Sequence, residues 1–175
     1  MKIIKGTTRI VFVFPKVVIK IPRIQLKIAL GIASFIGWKR LHKYVFKKHS
    51  WTSINSVTHY IYGGILANWN EYFFYLKNKN IQILMPVHFS FFGLINIQST
   101  GDPLSMESND FSHKINILTN WEASGSHTFR NIQNFCQVDN KLRIVDYGDP
   151  RMFDVMGKYG EKMHREFRFS NLAGE

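Results

Sequence analysis

The sequence predicts an α+β fold in which antiparallel hairpins mix with helices. Three observations carry this. Two runs rich in β-branched and aromatic residues flank a Pro-Lys pair near the N-terminus, the spacing of apolar residues then changes to a helical period, and a second short hairpin pattern appears near residue 140.

"RIVFVF" (9–14) and "VVIKI" (17–21) meet at Pro15-Lys16, a tight connection, and read as a β-hairpin. From Gln25 to about Lys48 the residues Leu26, Leu30, Ala33, Ile36, Leu41 and Val45 recur at helical spacing, and Lys39, Arg40, Lys43, Lys47 and Lys48 gather in the later half, where cations suit a helix C-terminus. Ser50 or Thr52 offers a helix start, and Gly63-Gly64 predicts a break before "ILANWNEYFFYLKNKN". There Ile65, Trp69, Phe73 and Leu76 share one face, with Glu71 mid-helix. "IQILMPVHF" and "FGLINIQST" follow, then a short helix around 110–122 and a loop over 124–134. "FCQV" and "LRIV" flank Asp139-Asn140-Lys141, a good hairpin turn.

A chain of 175 residues with 45% hydrophobic content can bury a core, which argues against general disorder. The single cysteine, Cys136, excludes an internal disulfide and a cysteine zinc cluster, and its alternation with Phe135 and Val138 marks it as a core residue. The net charge of +11 sits in the N-terminal third: residues 1–50 hold 12 Lys/Arg and no acid, whereas residues 51–175 hold 11 Lys/Arg against 12 acids. Such a field favours anionic partners, whether nucleotide phosphates, nucleic acid or an anionic membrane surface.

The interrupted N-terminus does not read as a secretory signal. The run Ile24–Trp38 falls short of the roughly 20 residues a membrane span needs. A cytoplasmic, at most membrane-peripheral, protein is expected. For the helical segment after Ile24, packing on the sheet is the ordinary expectation, and an interfacial helix led by Phe35, Ile36 and Trp38 is the sharper one. His59, His88, His127 and His164 have no metal-ligand spacing, and "ASGSH" lacks the pattern and strand-to-helix context of a hydrolase serine.

Four residues form an ordered constellation. Lys20 lies in a strand, and a lysine that is to touch phosphate needs a carboxylate to hold its flexible stem, a role open to Glu71 on the later helix. Asn134 ends a loop, and Asp146 follows twelve residues later in "IVDYGDP" at a strand end. An amide oxygen and a carboxylate so placed can share one Mg²⁺, which prefers oxygen ligands and substrate phosphates. Taken singly, each has a plainer reading as an exposed lysine, a helix-surface acid or a turn residue.

In order, these segments resemble the protein-kinase-like superfamily, small phosphotransferases included. "VVIK" is similar to the strand of the phosphate-contacting lysine, "ANWNEYFFYLK" to the helix of its glutamate partner, and "GLINIQS" to the strand entering the interlobe hinge. "SHTFRNIQNFCQVDNKLRIVDYG" resembles the catalytic loop, its hairpin and the Asp-Phe-Gly metal motif, with Tyr147 for Phe. The resemblance covers most of residues 6–150. It implies a five-stranded N-lobe (1–99) with a basic amphipathic insertion (24–62), and a reduced C-lobe (100–175). It also implies ATP and Mg²⁺ as ligands, with Lys20 and Glu71 serving the nucleotide and Asn134 and Asp146 the metal.

Three departures accompany it. The position about five residues before the metal asparagine, where the family carries its catalytic aspartate, is Phe129. His127 and Asp149 are only weak stand-ins. Gly6 is alone where a glycine-rich lid is expected, and about 27 residues after Gly148 leave no room for a full substrate-binding lobe. The expectation is therefore a degenerate or atypical phosphotransferase, against the alternative of a non-enzymatic basic module acting through residues 1–50.

Overall fold

The computed structural model describes residues 1–27, 30 and 54–169. Two antiparallel sheets follow one another along the chain. The first holds β1 (Lys2–Lys5), β2 (Arg9–Val13), β3 (Val17–Pro22), β4 (Val87–Phe91) and β5 (Ile95–Ser99), in the order β1-β2-β3-β5-β4. The second holds β6 (Asp102–Pro103), β7 (Phe135–Val138) and β8 (Lys141–Ile144). Among the described residues the helices are α1 (Ile54–Lys77), α2 (Ser108–Leu118), α3 (His127–Arg130) and α4 (Phe153–Glu166). The fold is thus α+β, with five strands in the first sheet as expected.

The Pro15-Lys16 turn closes through Phe14 N–H donating to Val17 O at 2.9 Å, and this fixes the register Val13↔Val18, Val11↔Lys20 and Arg9↔Pro22. Side chains alternate along a strand, so Arg9, Val11 and Lys20 all point to one face. Pairing of Lys20 with Asn96 brings β5's Asn96 to the same face. The second hairpin turns on Asp139 (φ 50°) and Asn140 (φ 57°), the paired left-handed residues of a two-residue turn, so Lys141 begins the strand instead of closing the turn.

The Gly63-Gly64 pair does not break the helix. α1 runs through it, because a side chain at Gly64 would lie 2.2 Å from Thr8 O and 2.9 Å from Pro22 Cα. The missing Cβ lets α1 lie directly on the sheet, a close approach that offsets a cost of about 1 kcal/mol per glycine. The expected 124–134 loop contains α3 and a 3₁₀ turn, Ile132–Asn134. The helix expected over 110–122 spans Ser108–Leu118 instead, and left-handed Asn120 (φ 49°) and Trp121 (φ 67°) follow it.

The basic group Lys39, Arg40, Lys43, Lys47 and Lys48, and the interfacial-helix reading with it, lie outside the described residues. Among the described residues no helix is long and apolar enough to cross a membrane.

The apolar core sits with the second sheet. Phe74, Ile83, Leu84, Phe111, Ile115, Phe129, Phe135, Leu142, Ile144, Tyr147, Met152, Met156, Met163 and Phe167 form one buried cluster. Each fully buried side chain of this size contributes about 1.5–3 kcal/mol, so this region supplies most of the hydrophobic stabilisation. Residues 81–86 tie it to the first sheet: Met85 N–H donates to Ile144 O (3.0 Å) and Ile144 N–H to Ile83 O (2.8 Å), while Ser99 N–H of β5 donates to Pro86 O (2.9 Å). The interface between α1 and the first sheet is built differently, from buried polar groups.

Candidate functional site

Gly64, Asn68 and Glu71 follow one another at four and three residues along α1, so they share the face that meets the sheet. The Gly64 contact sets the separation, and Asn68 and Glu71 then reach Arg9, Lys20 and Asn96. All five side chains are buried.

Lys20 Nζ donates to Glu71 Oε1 at 2.7 Å and also to Val145 O. The side chains of the pair are 4% and 0% exposed. Glu71 is the hub. It also accepts from Arg9 Nη1 (3.2 Å), Asn96 Nδ2 (3.4 Å) and the Tyr147 backbone N–H (3.3 Å). Asn68 locks the helix to the sheet, its Nδ2 donating to Gly93 O (2.9 Å) and Lys20 O (3.2 Å) while its Oδ1 accepts from Arg9 Nη1 (3.2 Å).

Asp146 enters from the end of β8. Its Oδ1 accepts from Arg9 Nη2, and its side chain keeps 41% exposure, so it forms the open edge of an otherwise buried cluster. Gly148 makes the entry possible: a Cβ there would lie 2.4 Å from Ala67 O, so only glycine lets this strand end cross α1 so closely. Tyr147 turns the other way into the core, where its hydroxyl donates to Met85 O at 2.6 Å.

Asn134 lies beside Asp146 through the backbone, its carbonyl accepting from Val145 N–H (2.8 Å) and Asp146 N–H (3.4 Å). Its Nδ2 donates to Thr128 O (3.0 Å), and its Oδ1 has one long contact, accepting from Asn131 Nδ2 at 3.4 Å.

Arg9 and Lys20 balance Glu71 and Asp146 in charge. Burial pulls the Lys20 ammonium below its ordinary pKa, Glu71 opposes that, and the Arg9 charge adds to the lowering. Burial works against the Asp146 carboxylate, but Arg9 and Lys20 outweigh it and hold the carboxyl below its usual range. Burial likewise works against charged Arg9, yet Asp146 and Glu71 raise its pKa further, so it stays a cation.

Lys20, Glu71 and Asp146 therefore converge, and Asn134 adjoins them. Of the remaining candidates, Phe129 and Asp149 do not join the cluster. Phe129 is 1% exposed and packs in the core near Phe135. Asp149 caps the 3₁₀ turn Pro150–Met152 and pairs with Arg151 at 2.7 Å, which holds its carboxyl low. His127 begins α3, and its side chain lies outside what is described. Cys136 is buried, as its alternation predicts, and burial pushes its thiol up to about 11.

Sequence reasoning missed Arg9, Asn68 and Asn96. Arg9 was within reach: counting back from the Pro15-Lys16 turn puts it on the face of Lys20. Asn68 had a weaker signal, three residues before Glu71. Asn96 had none, because the β3–β5 register is set by tertiary packing.

No protein-family model matches this chain, and no curated protein or solved structure matches it either.

Proposed function

We propose that the protein is a kinase-like Mg-ATP binding protein, a degenerate or atypical phosphotransferase. The observation that carries the reading is the meeting of the buried Lys20–Glu71 ion pair with Asp146, three residues from three separate elements drawn to one cluster with an open edge. Two of the three Lys20 donors are engaged by Glu71 and Val145 O, leaving one for an α- or β-phosphate oxygen. Glu71 fixes the ammonium where the phosphate is to come.

Asn134 Oδ1 and the Asp146 carboxylate are hard oxygen donors on adjoining backbone, a set that fits Mg²⁺ when substrate phosphates complete its shell. The metal, when bound, would neutralise and orient the phosphates. Phe129 offers no proton acceptor and is sealed in the core, so transfer to a hydroxyl by the superfamily's usual route is not proposed. Binding, scaffolding or an unconventional transfer fits better.

Thermal unfolding with and without Mg-ATP tests this. A nucleotide at 100 times its Kd adds about 2.7 kcal/mol, which for a domain of this size raises Tm by roughly 5–10 °C. Lys20→Met and Asp146→Asn should remove the shift. Absence of any shift in the wild type, together with no binding heat by calorimetry, would refute the reading. Transfer of ³²P from labelled ATP to an acceptor would show the chemistry to be retained.

A second reading, a basic module on nucleic acid or an anionic membrane surface, draws on one observation: Lys2, Lys5, Lys16, Arg23 and Lys27 are all exposed. Binding that falls steeply with salt, with no nucleotide effect on Tm, would favour it.

A further inference from the structure

We infer that Arg9 stands in for the metal cation at Asp146 in the nucleotide-free protein, so that a divalent cation gains this carboxylate only after a polyphosphate draws the guanidinium away. The inference rests on the nucleotide-site reading above and deepens it: it sets an order of binding and names the residue that enforces it.

The geometry is specific. Arg9 is anchored at the start of β2, its side chain only 9% exposed. Nη1 is shared between Asn68 Oδ1 and Glu71 Oε2, both at 3.2 Å, and Nη2 reaches Asp146 Oδ1. One planar cation thus bridges the lysine-holding carboxylate and the metal-side carboxylate. With Asp146 partly open to solvent, the bridge forms at the edge a phosphate would reach first.

The charge balance gives the order. Arg9 and Lys20 already neutralise Glu71 and Asp146, so a divalent ion arriving alone would place two uncompensated positive charges beside two cations at a half-buried site. At low effective dielectric that repulsion is costly. A nucleoside triphosphate reverses the sign. It brings anionic oxygens that a guanidinium binds in bidentate fashion, and these compete with Asp146 for Arg9 Nη2. The vacated Oδ1 then has a negative neighbourhood into which the metal fits. Because coupling between two ligands is reciprocal, nucleotide must raise metal affinity by the same factor as metal raises nucleotide affinity.

The test uses the full chain and Mn²⁺ as a paramagnetic probe, counting free ion by electron paramagnetic resonance, with and without a non-hydrolysable ATP analogue, after subtracting the ion that the same analogue holds without protein. The wild type should hold Mn²⁺ weakly alone and about tenfold or more tightly with the analogue. Arg9→Gln, which retains an amide for Asn68 but loses the charge, should bind Mn²⁺ without the analogue, and adding Asp146→Asn should abolish that binding. Equal Mn²⁺ affinity of the wild type with and without the analogue, when calorimetry shows the analogue bound, overturns the inference. So does wild-type protein that binds Mn²⁺ alone as tightly as Arg9→Gln. If calorimetry shows no nucleotide binding, the functional reading fails, and the Arg9→Gln comparison still decides whether Arg9 blocks the cation. Should Arg9→Gln not fold, the wild-type comparison with Asp146→Asn, expected to lose the analogue-dependent Mn²⁺, decides it.

Discussion

Replacing Glu71 by glutamine should be the most destabilising single change in the polar cluster. Glu71 has no exposed surface and receives hydrogen bonds from Lys20, Arg9, Asn96 and the Tyr147 backbone. Neutralising it leaves two buried cations with Asp146 as the remaining anion. Removing one partner of a buried ion pair costs about 3–5 kcal/mol, because the stranded charge keeps its desolvation penalty. Lys20→Met should cost less, about 1.5–3 kcal/mol, since Glu71 then still has Arg9. A domain in the upper part of the usual range of about 5–15 kcal/mol survives either loss, and both variants can then be measured in the folded state. Urea unfolding at neutral pH, followed by circular dichroism and tryptophan fluorescence, gives the two values. A Glu71→Gln cost below about 1 kcal/mol, the value of an exposed ion pair, would mean that the cluster is not buried in solution. Equal costs for the two variants would mean that Arg9 does not support Glu71. The double variant should cost less than the sum of the singles by about 0.5–3 kcal/mol, as coupled neighbours do.

Three further outcomes are expected. Asp146 has a lowered folded-state pKa, so the unfolded chain binds more protons as pH falls through the ordinary 3.8; its stabilisation is complete above that value and is lost toward the lower folded pKa. Asp146→Asn should therefore flatten the loss of unfolding free energy as pH falls below the ordinary 3.8, and only in part, because Asp149 beside Arg151 acts in the same sense. Gly64→Ala should destabilise by at least about 1–3 kcal/mol, because the contact at 2.2 Å is with backbone, whereas Gly157→Ala in α4, where nothing lies within 4 Å, should stabilise by about 0.5–1 kcal/mol; chemical denaturation separates the signs. Phe129→Asp, which places an aspartate at the expected base position, should restore no transfer and should cost at least the roughly 3–5 kcal/mol of a core Phe→Ala change, since it also buries a charge; loss of the cooperative thermal transition would show this.

How much was legible in the sequence depends on how local the cause was. The hairpins were readable because a Pro-Lys turn and an Asp-Asn turn fix their own registers. Lys20, Glu71 and Asp146 were found as an ordered set, each with a plain alternative that only three-dimensional placement could weigh. Gly63-Gly64 misled because glycine signals either a helix end or a close approach, and the partner that decides between them, the Thr8 carbonyl, is more than fifty residues away. Arg9 was hidden for a related reason: a strand arginine looks exposed until the register is counted. Asn96 depends on which strand lies beside β3, a tertiary choice that leaves no periodic mark.

The polar layer between α1 and the first sheet bears on function through what it does not contribute. Replacing a buried ion network by apolar side chains of similar volume is often neutral or stabilising by about 1–4 kcal/mol, so such a network is a poor device for stability alone. The chain packs apolar residues tightly elsewhere: the second region is filled with Phe, Met, Ile and Leu. At the α1 interface it instead holds Arg9, Lys20, Asn68, Glu71 and Asn96 in mutual hydrogen bonds, with Asp146 at an open edge. A layer serving only to join helix to sheet would need neither balanced charges nor an opening. The proposed polyphosphate site would use both: cations held in place beforehand, so that little reorganisation accompanies binding, and carboxylates that compensate those cations in the interior until the phosphates arrive.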